Sequence, residues 1–147
     1  MSSSYSCQEW FEYARRDLQV AVFLQGMHPI PIGIICYHCS QAAEKMLKGA
    51  LAAAGQEPPK THDLVMLCEL CGERYKEYST ILKQCAELTP YGVQTRYPSH
   101  EELIEQDMKD ALRQCQEVCE FVECSITLEE EPEQGQKEAP GMAPMSL

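Results

Sequence analysis

His38, Gln41, Lys45 and Lys48 recur at steps of three, four and three residues, a pattern that places all four on one stripe of a helix. Two ammonium groups three residues apart can both face one phosphate, while a glutamine and an imidazole read neighbouring polar atoms. Glu44 lies beside the row, where it can orient Lys45 or pair with Lys48. The same residues also suit a solvated helix face, or a dimer contact through His38 and Gln41. Beyond a Gly55-Gln56-Glu57-Pro58-Pro59 break comes Thr61-His62-Asp63. The triplet reads first as structural, with Thr61 a helix cap, Asp63 a first-turn acid and His62 bonded to nearby backbone; the alternative is that His62 touches a ligand. No nucleophile elbow accompanies these histidines.

The stripe needs a helix to carry it. Ile35, Cys39, Ala42, Ala43, Met46 and Ala50 form an adjoining apolar stripe, so a helix over residues 32–54 packs one side into a core and ends at Gly55. Upstream, Ser6 with Glu9 fits a capping box, and Trp10, Ala14, Leu18, Ala21 and Val22 follow at helical spacing until Gly26, Pro29 and Pro31. A short third helix follows Thr61, with Leu64, Leu67, Cys68 and Cys71 inward and Gly72 at its end. A fourth holds Ile81, Leu82, Cys85 and Leu88. Ser99 with Glu102 reads as a second capping box, opening a long helix with Ile104, Met108, Ala111, Cys115, Val118 and Val122 inside. The expected fold is all-α, a compact up-and-down bundle of about five helices over residues 1–127. Residues 128–147 turn to Glu, Pro, Gly and Gln and are expected to form a disordered acidic tail.

Net charge is −11, of which the stretch from Glu129 onward holds −4 (five acids against Lys137), leaving −7 for the rest. An acidic body argues against broad nucleic-acid binding but leaves room for one small anion on a local cationic row. No apolar run approaches the roughly 20 residues that span a bilayer, and with no basic stretch followed by an apolar core at the N-terminus, no secretory signal is expected. The expectation is a cytoplasmic protein whose nine cysteines are thiols. Cys36-x-x-Cys39 and Cys68-x-x-Cys71 have zinc-like spacing, yet all four fall inside helical patterns and three on or near apolar stripes. They read as small core residues, and neither metal nor cofactor is expected.

Four ordered blocks then carry a resemblance: WFEYARRDLQVAVFL from Trp10, HCSQAAEKMLKGAL from His38, PPKTHDLVML from Pro58 and VQTRYPS from Val93. Together the chain from Trp10 to Cys124 resembles the HEPN domain family. The resemblance implies a helical bundle that dimerises and, in some members, binds a nucleotide; the residues expected to hold it here are His38, Gln41, Lys45, Lys48, His62 and Arg96. It also implies a minimal nucleotidyltransferase as partner in a two-part module, the arrangement that toxin–antitoxin pairs share. The family's ribonuclease branch instead cleaves RNA without metal, using an Arg and a His separated by four to six residues. Arg96 and His100 have three between them, a departure from that pattern. A non-catalytic module is therefore the first expectation, and a ribonuclease on Arg96 and His100 the alternative.

Overall fold

The computed structural model describes residues 5–93 and 102–138, with side chains through residue 127. Five α-helices are described: α1 (Cys7–Leu24), α2 (Ile32–Ala53), α3 (Leu64–Gly72), α4 (Leu82–Leu88) and α5 (Glu105–Glu138). Two 3₁₀ helices, Lys76–Ile81 and Thr89–Gly92, flank α4. The described residues contain no strand.

Local chemistry sets the ends of these helices. At α1 the capping box is complete: Ser6 Oγ accepts from Glu9 N at 3.1 Å and Glu9 Oε1 accepts from Ser6 N at 2.9 Å. At the far end of α2, Gly55 takes φ +77, where a side chain would be strained. Its N–H and that of Gln56 then close onto the carbonyls of Ala52 and Leu51. The cap of α3 is Asp63 rather than Thr61. Asp63 Oδ1 accepts from Val65 N and Met66 N, and Thr61 Oγ1 braces Asp63 by accepting from its N–H. The carboxylate stands nearer the free amides, so it takes the capping role.

Two inner-face expectations change. On α1 the buried residues are Phe11, Ala14, Asp17 and Ala21, whereas Val22 is exposed and Trp10 half-buried. At 100° per residue Phe11 lines up with Ala14, Leu18 and Ala21, and Val22 falls one step beyond them. On α5, Met108, Ala111, Cys115, Val118 and Val122 are buried, but Ile104 precedes the helix and is 61% exposed. Ile104 N donates to Asp107 Oδ2 at 2.8 Å, so the helix starts after it. Glu102 lies before that start, and Ser99 falls outside the described residues. The backbone of α5 continues to Glu138, across the boundary expected at 128.

α2 is the axle of the bundle. It packs on α1 along one side and on α5 along another, with α3 and the second 3₁₀ helix closing more of its circumference. Ile35, Cys39, Ala42, Ala43 and Met46 are almost wholly enclosed, as the apolar stripe requires. Fully burying a side chain such as Ile35 or Met46 is worth about 1.5–3 kcal/mol. Thr89 ties the remaining pieces together: its Oγ1 accepts from Leu64 N and donates to the Cys85 carbonyl. Among the described residues no helix is long and apolar enough to cross a membrane.

Candidate functional site

Enclosure extends to the polar side of α2 as well. Ser40, Gln41, Glu44 and Lys48 are all buried, as is Asp17 on the facing side of α1. Charges withdrawn from water cost several kcal/mol each unless they are paired and hydrogen-bonded. The structure meets that cost with two similar units. Asp17 Oδ2 accepts from the Lys45 ammonium at 2.6 Å, and Asp17 Oδ1 lies 2.9 Å from His38 Nδ1. Glu44 Oε2 accepts from the Lys48 ammonium at 2.9 Å, and Glu44 Oε1 lies 2.8 Å from His62 Nδ1. Each carboxylate thus joins one lysine and one histidine.

The pairing sets the imidazole chemistry. A carboxylate only accepts, so Nδ1 carries the proton in both rings. In the neutral tautomer Nε2 is left as an acceptor or base, and in the protonated ring it becomes a second donor. His62 is 60% exposed at its side chain and His38 25%, so these nitrogens are available to a ligand to different degrees. With neutral histidines the two acids and two lysines sum to zero charge. Each ammonium uses one of its three donors in its pair.

The row predicted from sequence is therefore present on α2, but Lys45 reaches to α1 while Lys48 pairs within its own helix. Of the two expected roles for Glu44, the ion pair with Lys48 is the one formed. His62, from the segment before α3, joins the row through Glu44. Arg96 and His100 lie outside the described residues. The missed residue is Asp17. Its signal was available: an acid three residues after Ala14 and four before Ala21 stands on an inward stripe, where an unpaired carboxylate would not be left.

Gly49 sets how closely α1 approaches. A Cβ there would stand 2.6 Å from the Phe11 ring and 3.1 Å from Trp10 Cβ. Without it, Trp10 and Phe11 lie directly against the α2 backbone, and the Lys48 ammonium sits over the Trp10 ring, 5.7 Å from its centre. At the other end of the polar side, Gly92 passes beside Ser40 and His62; a Cβ on it would lie 3.3 Å from Ser40 Oγ and 3.8 Å from His62 Cβ. Ser40 Oγ and Trp10 Nε1 are both buried without a hydrogen-bond partner among the described residues.

Seven of the nine cysteines behave as core groups, while Cys7 is half-buried and Cys124 exposed. Cys36, Cys39, Cys68 and Cys71 are buried, and the Cys68 and Cys71 thiols lie within reach of the carbonyls of Tyr78 and Leu47. Burial, with the nearby Asp107 charge, pushes the Cys36 thiol up to about 12. Tyr91 is likewise pushed up to about 12, by burial and then by the charges of Cys36 and Asp107. Among the described residues no three His, Cys, Asp or Glu side chains gather into a metal-binding group.

Comparison with known proteins matches the chain to one family. The model of the HEPN domain matches residues 7–125. Among solved structures, TT1696 from Thermus thermophilus is 27% identical with a TM-score of 0.72, over 80% of this chain and 95% of that one. ST0689, an archaeal HEPN homologue, shares the fold at 22% identity and a TM-score of 0.67, over 83% of this chain and 98% of that one. Among curated proteins nothing matches. With the family match spanning all five helices as far as residue 125, this chain belongs to the HEPN domain family.

Proposed function

We propose that this HEPN domain is a non-catalytic nucleotide-binding module that dimerises and works beside a nucleotidyltransferase partner. The observation that carries the reading is the pair of carboxylate–histidine–lysine units that α2 forms with Asp17 of α1 and with His62 before α3. Buried ion pairs add little net stability compared with apolar packing, so two of them around one helix suggest a role in recognition. They hold Lys45, Lys48, His38 and His62 in fixed rotamers, which lowers the ordering cost when a ligand binds. Gln41, between His38 and Glu44 in sequence, adds an amide that can both donate and accept. The dimer and the partner are supported by family membership. A ribonuclease on Arg96 and His100 has less support, since three residues separate a pair that the pattern spaces by four to six.

The test is equilibrium titration of the purified protein with a panel of nucleoside monophosphates and triphosphates. His62→Ala is the informative variant, because it removes an exposed imidazole while Glu44 keeps Lys48. Losing one hydrogen bond to a charged ligand group should weaken binding about tenfold, with the thermal midpoint little changed. Absence of nucleotide binding by the native protein would end this reading.

A further inference from the structure

The unit at Lys48 continues outward into a cluster of rings. Lys48 sits over Trp10; the Tyr5 ring meets Trp10 edge-on with centroids 5.2 Å apart and tilts against Tyr13 at 5.5 Å. Tyr5 and Tyr13 are 45% and 49% exposed. From His62 the contacts run without a break through Glu44, Lys48 and Trp10 to the two tyrosines, from a polar end to an aromatic end. The Trp10 indole N–H is buried and unpartnered among the described residues, an unmet donor in the middle of this path. Gly49 makes the juxtaposition possible, since any side chain there would push Trp10 and Phe11 away from α2.

We propose that Tyr5, Trp10 and Tyr13 form a base-stacking subsite, and that the ligand is a nucleotide whose aromatic base lies on the tyrosine faces with its phosphate directed toward Lys48 and His62. The inference rests on the nucleotide-binding reading above and adds the part of the ligand that the α2 row does not address. Stacking on tyrosine is tolerant of base identity and needs no net positive charge. That suits an ammonium already paired with Glu44. Two half-exposed tyrosines beside a lysine that bridges a ring and a carboxylate are an arrangement suited to such a ligand.

Trp10 is the only tryptophan in the chain, so its emission reports on this subsite directly. The experiment titrates native protein with AMP and, separately, with ribose 5-phosphate, following Trp10 fluorescence and heat. AMP should bind about tenfold more tightly than ribose 5-phosphate, as expected for one stacked base, and should shift or quench the emission. Tyr5→Ala combined with Tyr13→Ala should remove that advantage and leave ribose 5-phosphate affinity unchanged, whereas Tyr13→Phe should retain it. Equal binding of the two ligands, or AMP affinity indifferent to the double substitution, would overturn the subsite while leaving the nucleotide-binding reading intact. Binding of neither ligand would overturn both.

Discussion

Lys45 and Asp17 are held 2.6 Å apart across the α1–α2 seam, with the carboxylate only 12% exposed and its other oxygen facing His38. The two helices are thereby fastened at one angular setting. A lone charge left there would have little water to solvate it.

Asp17→Ala should therefore cost about 3 kcal/mol, near the low end for breaking a buried pair because Lys45 retains some access to water. Adding Lys45→Met should return much of that loss, since an apolar pair of similar volume needs no solvation. Urea unfolding of the two variants measures both effects. A double variant no more stable than Asp17→Ala would show that the pair is not the source of the loss.

Gly49→Ala sets helix propensity against packing. Alanine gains about 1 kcal/mol within a helix, while overfilling a tight contact costs about 1–3 kcal/mol. The Phe11 ring is 4% exposed and has little room to move from a 2.6 Å overlap, so the packing cost should prevail. The substitution should destabilise the fold and shift Trp10 emission, and Phe11→Leu in the same chain should recover part of the loss. A Gly49→Ala protein more stable than the native one by denaturant midpoint would contradict the closeness of α1 and α2.

Alkaline pH should weaken the bundle. Cys36 and Tyr91 are each pushed up to about 12, from ordinary values of 9.0 and 10.0, because burial favours their neutral forms. A group whose folded pKa is raised contributes fully below its unfolded pKa and loses that contribution as pH climbs toward the folded value. Thermal midpoints should be level up to about pH 8.5 and fall between about pH 9 and 12. Cys36→Ala should start lower at neutral pH, through a small cavity, yet decline less steeply. Parallel alkaline limbs would remove Cys36 from the explanation.

Much of this fold was written in local pattern. Ser6 and Glu9 announced the start of α1, and Gly55 the end of α2, because caps depend on neighbours within a turn. The α2 stripe from Ile35 to Ala50 was legible from its period alone. Asp63 displaced Thr61 as cap because two acceptors stood within two residues, a contest that backbone geometry decides. Ile104 matched the α5 period but lies ahead of the first helical turn. The candidate site was half legible. His38, Gln41, Lys45 and Lys48 share a helix, so their spacing showed them. Asp17 meets His38 and Lys45 across 21 and 28 positions, and His62 meets Glu44 across 18, distances over which sequence carries no period. Trp10 comes over the Lys48 ammonium because Gly49 lets α1 settle onto α2, a closeness that no local period announces.

Fourteen of the 22 residues of α2 are buried, Glu44 and Lys48 among them, and the helix is fastened to its neighbours through Lys45 to Asp17 and through Glu44 to His62. Such a segment has little tolerance for a change in length. One inserted residue between His38 and Lys45 would turn everything after it by about 100°, swinging Lys45 away from Asp17 and carrying Met46 and Ala50 out of the core together. Variation in length among related chains should therefore gather in the connections, with the span from His38 to Lys48 kept at a fixed count even where its residues differ.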